Sequence, residues 1–116
     1  MIDLDGRLLD FVVSVMGLSD RLRRTSAGRY ISDQLMRASA SAGANYQEAC
    51  GAESRADFVH KLQLVLKEVR ESGYWLRLIA RGRLVPADSL ADLLDECEQL
   101  VRIVAKSVVT AKSRGR

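Results

Sequence analysis

Four runs of this chain place apolar residues at alternating intervals of three and four, the spacing that holds one side of an α-helix against a neighbour. The first is Leu4, Leu8, Phe11, Val15, Leu18 and Leu22; the second is Ile31, Leu35, Ala38 and Ala42, continuing through Asn45 to Ala49. The third is Phe58, Leu62, Val65, Val69, Ser72, Leu76 and Ile79, and the fourth Leu90, Leu93, Cys97, Leu100, Val104 and Ala111. No stretch alternates with the period of two that a half-buried strand needs. The pattern predicts an all-α chain with helices at about 4–24, 28–50, 55–81 and 87–111. The connections between them are short, so consecutive helices must run antiparallel. A single domain over residues 1–116 in an up-down-up-down four-helix bundle is the expected architecture.

The breaks in the pattern have chemical causes. Thr25, Ser26 and Gly28 punctuate the first connection. Gly51 reads as a helix end, and Ser54 with Asp57 three residues on reads as an N-cap with an acidic N3 residue. Gly82 and Pro86 frame the last turn, and Pro86 sits near the start of the fourth helix, where a missing N–H costs little. The tail from about Lys112 is expected to fray.

Within the second helix, "ASASAGA" at 38–44 carries very little side-chain volume. Small residues let another helix approach closely. Asn45 falls on the inward stripe, with Gln34, Arg37, Ser41 and Glu48 beside it. Buried polar groups need partners. Lys61, Lys67, Glu68 and Glu71 of the third helix can supply them. The set Arg37, Asn45, Glu48, Lys61, Lys67, Glu68 and Glu71 reads first as a structural polar network and second as a ligand-contacting group.

The first and fourth helices carry more apolar residues than one core requires. Leu9, Val12 and Met16, and Leu94, Val101 and Val108, form a second seam. Such a seam is expected to mark a contact between copies in a homo-oligomer, the alternative being a wide core face in a monomer.

These residues resemble a known family, the four-helix bundle proteins encoded inside 23S ribosomal RNA intervening sequences, to which the accessory variability determinant of diversity-generating retroelements is related. The resemblance rests on Gln34-Leu35, Arg37-Ala38-Ser39, Ser41, Gly43-Ala44-Asn45-Tyr46 and Glu48-Ala49. It rests equally on Asp57-Phe58, His60-Lys61-Leu62, Lys67-Glu68, Glu71 and Tyr74-Trp75-Leu76, and runs from about Leu8 to Thr110. It implies an antiparallel bundle assembled as a ring-like homopentamer. It also implies RNA or DNA, and a reverse transcriptase or other nucleic-acid-handling protein, as partners. The retroelement accessory proteins are strongly basic, whereas this chain carries a net charge of only +3.

No catalytic arrangement stands out. His60 is the only histidine, so the Glu-x-x-His pairs of di-metal bundles are lacking, and there is no glycine-rich phosphate loop. The expectation is a non-enzyme with no cofactor and no metal. Cys50 and Cys97 lack metal or redox spacing and read as small apolar fillers. Tyr74 and Trp75 read as core or interface anchors rather than a base-stacking platform. The stretch "MIDLDGRLL" is acidic where a secretory signal would be basic, and no apolar run reaches the roughly 20 residues of a membrane span. A cytoplasmic location away from membranes is expected.

Charge distribution says more than the total. Arg21, Arg23, Arg24 and Arg29 surround the first connection, and Arg77, Arg81 and Arg83 gather at the end of the third helix. An up-down-up-down bundle brings these two turns to one end, where they could contact phosphate backbones without sequence preference. The competing possibility is a solvated surface balanced by Asp88, Asp92, Asp95, Glu96 and Glu98. A scaffold or accessory protein with a nucleic-acid-facing end is the reading adopted; the alternative is a protein-binding adaptor that never touches nucleic acid.

Overall fold

The computed structural model describes residues 3–114, which are helical apart from short connections, with no strand among them. Its elements are α1 (Leu4–Met16), α2 (Ser19–Leu22), α3 (Ser26–Cys50), α4 (Arg55–Gly82), a 3₁₀ turn (Ala87–Ser89) and α5 (Ala91–Arg114). α1 packs on α3 and α5, and α4 packs on α3 and α5, which makes an antiparallel bundle of 49 × 20 × 20 Å. At 1.5 Å per residue α1 spans only about 20 Å, roughly half the length of α3, α4 or α5. Four helices therefore pack at one end of the molecule and three at the other.

The expected stripes are the core. Leu8, Phe11, Leu35, Ala38, Ala42, Val65, Val69, Leu76, Leu100 and Val104 are at most 1% exposed. Ser39 and Ser72 join them because each hydroxyl is satisfied within its own helix, donating to the carbonyls of Leu35 and Glu68. At the three-helix end a second cluster forms from Ala49, Leu62, Val108 and Ala111 beneath Tyr46, Phe58 and Val59. Asn45 does not complete the inward stripe as a buried group: it is half-exposed, and its amide donates to the Ser41 carbonyl at 2.9 Å.

Helix boundaries follow capping chemistry. The Thr25 hydroxyl accepts from the Gly28 amide at 3.0 Å, and the Ser54 hydroxyl accepts from the Asp57 amide at the same distance. Several boundaries differ from the sequence reading. The first helix, expected to run unbroken to about residue 24, divides at Gly17 into α1 and the single turn α2. Leu18 and Leu22 stay buried across the break, so the side-chain period continues where the backbone ladder does not. The last helix begins at Ala91 rather than 87, because Pro86 leads into a 3₁₀ turn that tucks Leu90 under the bundle end beside Val85. It remains helical to Arg114, past the point where fraying was expected.

α4 ends in a Schellman arrangement: the Leu84 amide donates to the Ile79 carbonyl and the Arg83 amide to that of Ala80. The left-handed residue there is Arg83, with φ of 53°, rather than the neighbouring Gly82.

Glycine has different meanings at two positions of α3. A Cβ on Gly28 would overlap the Leu22 carbonyl, so the α2–α3 corner closes only around a residue without a side chain. A Cβ on Gly43 would meet nothing nearer than the Leu8 Cβ at 4.0 Å. Gly43→Ala is therefore expected to raise stability by about 0.5–1 kcal/mol through helix propensity. Gly28→Ala should lower it by about 1–3 kcal/mol, as overpacking against a backbone atom does. Urea denaturation of both variants checks the opposite signs.

Candidate nucleic-acid interface

The α2–α3 corner and the α4–α5 connection lie at the same, four-helix end, joined by a hydrogen bond from Arg21 Nη1 to Ser89 Oγ at 2.8 Å. Arg21, Arg23, Arg24, Arg29, Arg81 and Arg83 are all exposed there. Arg23 pairs with Asp33 at 2.7 Å, and Arg29 reaches back to the Arg23 carbonyl at 3.4 Å. None of the others at this end is in an ion pair among the described residues. The acids that could have balanced them make no ion pair with them: Glu96 pairs with Arg7 of α1, Asp95 accepts from Gln99, and Asp88, Asp92 and Glu98 are exposed.

The placement of these charges works partly against the helices that carry them. The first turn of α3 holds no acidic residue, although a helix N-terminus is the positive end of its dipole. Arg24 and Arg29 flank that turn, an arrangement that an anion relieves. Arg81 lies in the last turn of α4, where a cation is favourable. Arg83 holds a left-handed conformation that costs about 1–2 kcal/mol for a residue with a Cβ. Arg77 lies further down α4: its Nε donates to the Gly73 carbonyl at 3.3 Å and its side chain borders a groove between α4 and α5.

The polar residues of α3 and α4 form two separate groups. Arg37 contacts both Glu68, at 3.3 Å, and Glu71, while the Trp75 indole donates to Glu71 at 3.0 Å. Trp75 is half-buried between Tyr30 and Tyr74, edge-to-face with each, and both tyrosines are more than half exposed. Lys61 and Glu48 make a second pair at 3.2 Å, with the Glu48 side chain 58% exposed. Lys67 is exposed and belongs to neither group. Sequence reasoning missed the link from Arg7 to Glu96 and Gln99, which ties α1 to α5. An arginine on one stripe edge and an acid on another carry no mark of which will meet.

The second seam divides likewise. Leu9 and Met16 are more than half exposed on the outer face of α1, and Val13, which sequence reasoning passed over, is exposed with them. Val12, Leu94 and Val101 are half-buried. Val108, expected at an oligomer contact, instead fills the core of the three-helix end, where the absence of α1 turns α5 further inward. Cys50 is exposed and fills nothing; Cys97 is buried, its thiol donating to the Val69 carbonyl, and burial pushes its pKa up to about 11. His60 is on the surface. Among the described residues no group of three or more acids, cysteines or histidines could hold a metal, and no helix is long and apolar enough to cross a membrane.

These contacts rank the polar residues. Glu71→Ala leaves the Trp75 indole N–H without an acceptor and removes one of the two carboxylates that hold Arg37, and is expected to cost about 1–2 kcal/mol, with a red shift in the emission of the single tryptophan. Glu48→Ala removes only a solvent-facing pair and should change stability by less than about 0.5 kcal/mol. Thermal unfolding followed by fluorescence measures both.

A search of curated proteins returned no match. Among solved structures, the chain is similar to a protein of unknown function from the S23 ribosomal protein family of Bacteroides thetaiotaomicron VPI-5482, known from a crystal structure at 1.70 Å. The two share 30% identity and a TM-score of 0.83, with 90% of this chain and 97% of the other covered. A family profile described as 23S rRNA-intervening sequence protein matches residues 7–106, from α1 into the second half of α5. The chain therefore belongs to the 23S rRNA-intervening sequence protein family.

Proposed function

We propose that the protein is a non-enzymatic scaffold or accessory factor that assembles as a homopentameric ring and contacts the phosphate backbone of RNA or DNA through its arginine-rich end. The observation that carries this reading is the set of exposed arginines at one end, of which Arg23 alone has a carboxylate partner among the described residues. Repeating that end around a ring concentrates positive charge well beyond the +3 of one chain. Phosphate contacts of this kind position a protein without reading sequence. A nucleic-acid-handling protein such as a reverse transcriptase is a compatible further partner.

The alternative, a protein-binding adaptor with no nucleic-acid role, draws support from Tyr74 and Leu78, exposed apolar residues that share a shallow surface hollow of α4 with Arg77 and Arg81.

Fluorescence anisotropy of a labelled RNA hairpin and a DNA duplex, titrated across a salt series, separates the two. The proposed contact predicts binding to both, with log affinity falling linearly in log salt by about 0.9 per phosphate contact on duplex DNA. The variant Arg24→Gln/Arg81→Gln/Arg83→Gly should lose most of that affinity. Arg83→Gly alone should also raise stability by about 1 kcal/mol, since glycine suits the left-handed position. Absence of binding at low salt from a well-folded protein would turn the assignment to the adaptor.

A further inference from the structure

The aromatic residues where α3 meets α4 are more open than packing alone requires. Three of the chain's six aromatic residues gather there, and core formation does not account for them, since Tyr30 and Tyr74 are 59% and 53% exposed. A tyrosine serving only as an anchor, as the sequence suggested for Tyr74, would bury its ring. The rings are nevertheless held in place. Each tyrosine packs edge-to-face with Trp75, at centroid distances of 5.9 and 5.0 Å. The Trp75 indole donates to Glu71, and Glu71 in turn is tied to Arg37. The acid that touches Trp75 is thereby matched by a cation, and the exposed tyrosine surface is fixed before any ligand arrives.

Tyr74 also lines the hollow on α4. It shares one helix face with Arg77, Leu78 and Arg81, at i, i+3, i+4 and i+7, and these four residues enclose about 240 Å³. At roughly 30 Å³ per water molecule that is the share of about eight waters, space for a single flat ring system. Tyr74 and Leu78 supply apolar surface, and Arg77 and Arg81 supply positive charge. Neither arginine is in an ion pair among the described residues. Arg81 stands in the last turn of α4, so the hollow continues the arginine-rich end along the helix. Arg70, one turn further from that end than Tyr74, borders the α4–α5 groove instead.

We infer that Tyr74, braced by Trp75 and flanked by Arg77 and Arg81, stacks an unpaired base of single-stranded RNA or DNA whose phosphates lie on the arginine-rich end. A duplex offers this end only its backbone, because its bases are stacked on one another and their faces are closed. A single strand offers phosphates for the guanidinium groups and a free base face for the ring, the combination on which sequence-tolerant single-strand binding rests. Charge complementarity favours this occupant: both charged residues lining the hollow are arginines, with no acid among the four. The inference rests on the nucleic-acid reading proposed above and narrows it to the unpaired form, and it is independent of how many copies assemble.

The test measures, by anisotropy, the affinity of the full chain for three labelled probes: an oligothymidine strand, an abasic strand of equal length, and a blunt DNA duplex with the same number of phosphates. The parent chain should bind oligothymidine about 5- to 100-fold more tightly than the abasic strand, the worth of one stacked base. Tyr74→Leu should erase that difference. Its affinity for the duplex and the abasic strand should change by less than about twofold, with an unchanged salt slope, because no charge is removed. Tyr74→Phe keeps the ring and should bind as the parent does, and circular dichroism verifies that both variants are folded. Three results overturn the inference while the backbone contact stands: equal parent affinity for oligothymidine and the abasic strand, equal losses for all three probes in Tyr74→Leu, or a Tyr74→Phe variant as weak as Tyr74→Leu. Absence of binding to every probe at low salt by the folded parent overturns both and turns the aromatic face to a protein partner.

Discussion

How closely the long helices can lie is set by the small side chains of α3. Ala38, Ser39 and Ala42 are completely buried, and around them α3 and α4 run side by side for most of their length. Protein interiors pack at nearly crystalline density, so a larger residue at any of these positions would push the helices apart along their whole contact. Everything else is hung on this hairpin. α5 completes the sheath on the α4 side, while α2 and α1 run along α3 from Ser32 to Gln47 and leave its last turn uncovered.

The shortness of α1 has consequences at both ends of the bundle. Where α1 is present, its inner face joins the main core and its outer face is left with Leu9, Val13 and Met16 in solvent. Where it is absent, Val108 turns into the core and Phe58 and Val59 fold over it. The arginine-rich end thus carries charge, the flank of the bundle a spare apolar face, and the opposite end closes on itself.

Much of this was legible in the spacing of apolar residues. Nearly every stripe position is buried, the Ser54 cap lies where its hydroxyl and Asp57 suggested, and Thr25, expected only to punctuate the first connection, caps α3. The break at Gly17 was not legible, because Leu18 and Leu22 hold the helical period through a turn whose backbone bonds are interrupted. The left-handed residue after α4 was legible only to within one position, since Gly82 is the more natural occupant and Arg83 takes it. Cross-helix partners such as Arg7 with Glu96, and Arg37 with Glu68 and Glu71, depend on the rotation of each helix about its axis, which stripe spacing leaves free within a residue or so. The same freedom exchanged Val13 for Val12 on the outer face of α1.

The central claim is that the anion-facing surface is the arginine-rich end and not the α4–α5 groove or the opposite end. Hydrogen–deuterium exchange with and without a bound RNA duplex at low salt tests it most directly. The account predicts added protection in the α2–α3 corner, around Arg23 to Arg29, and in the α4–α5 connection from Arg81 to Leu90, with no change at Gly51 to Arg55. Protection confined to the Gly51 to Arg55 turn or to the groove residues Arg70 to Arg77, or none anywhere under saturating RNA, would contradict it.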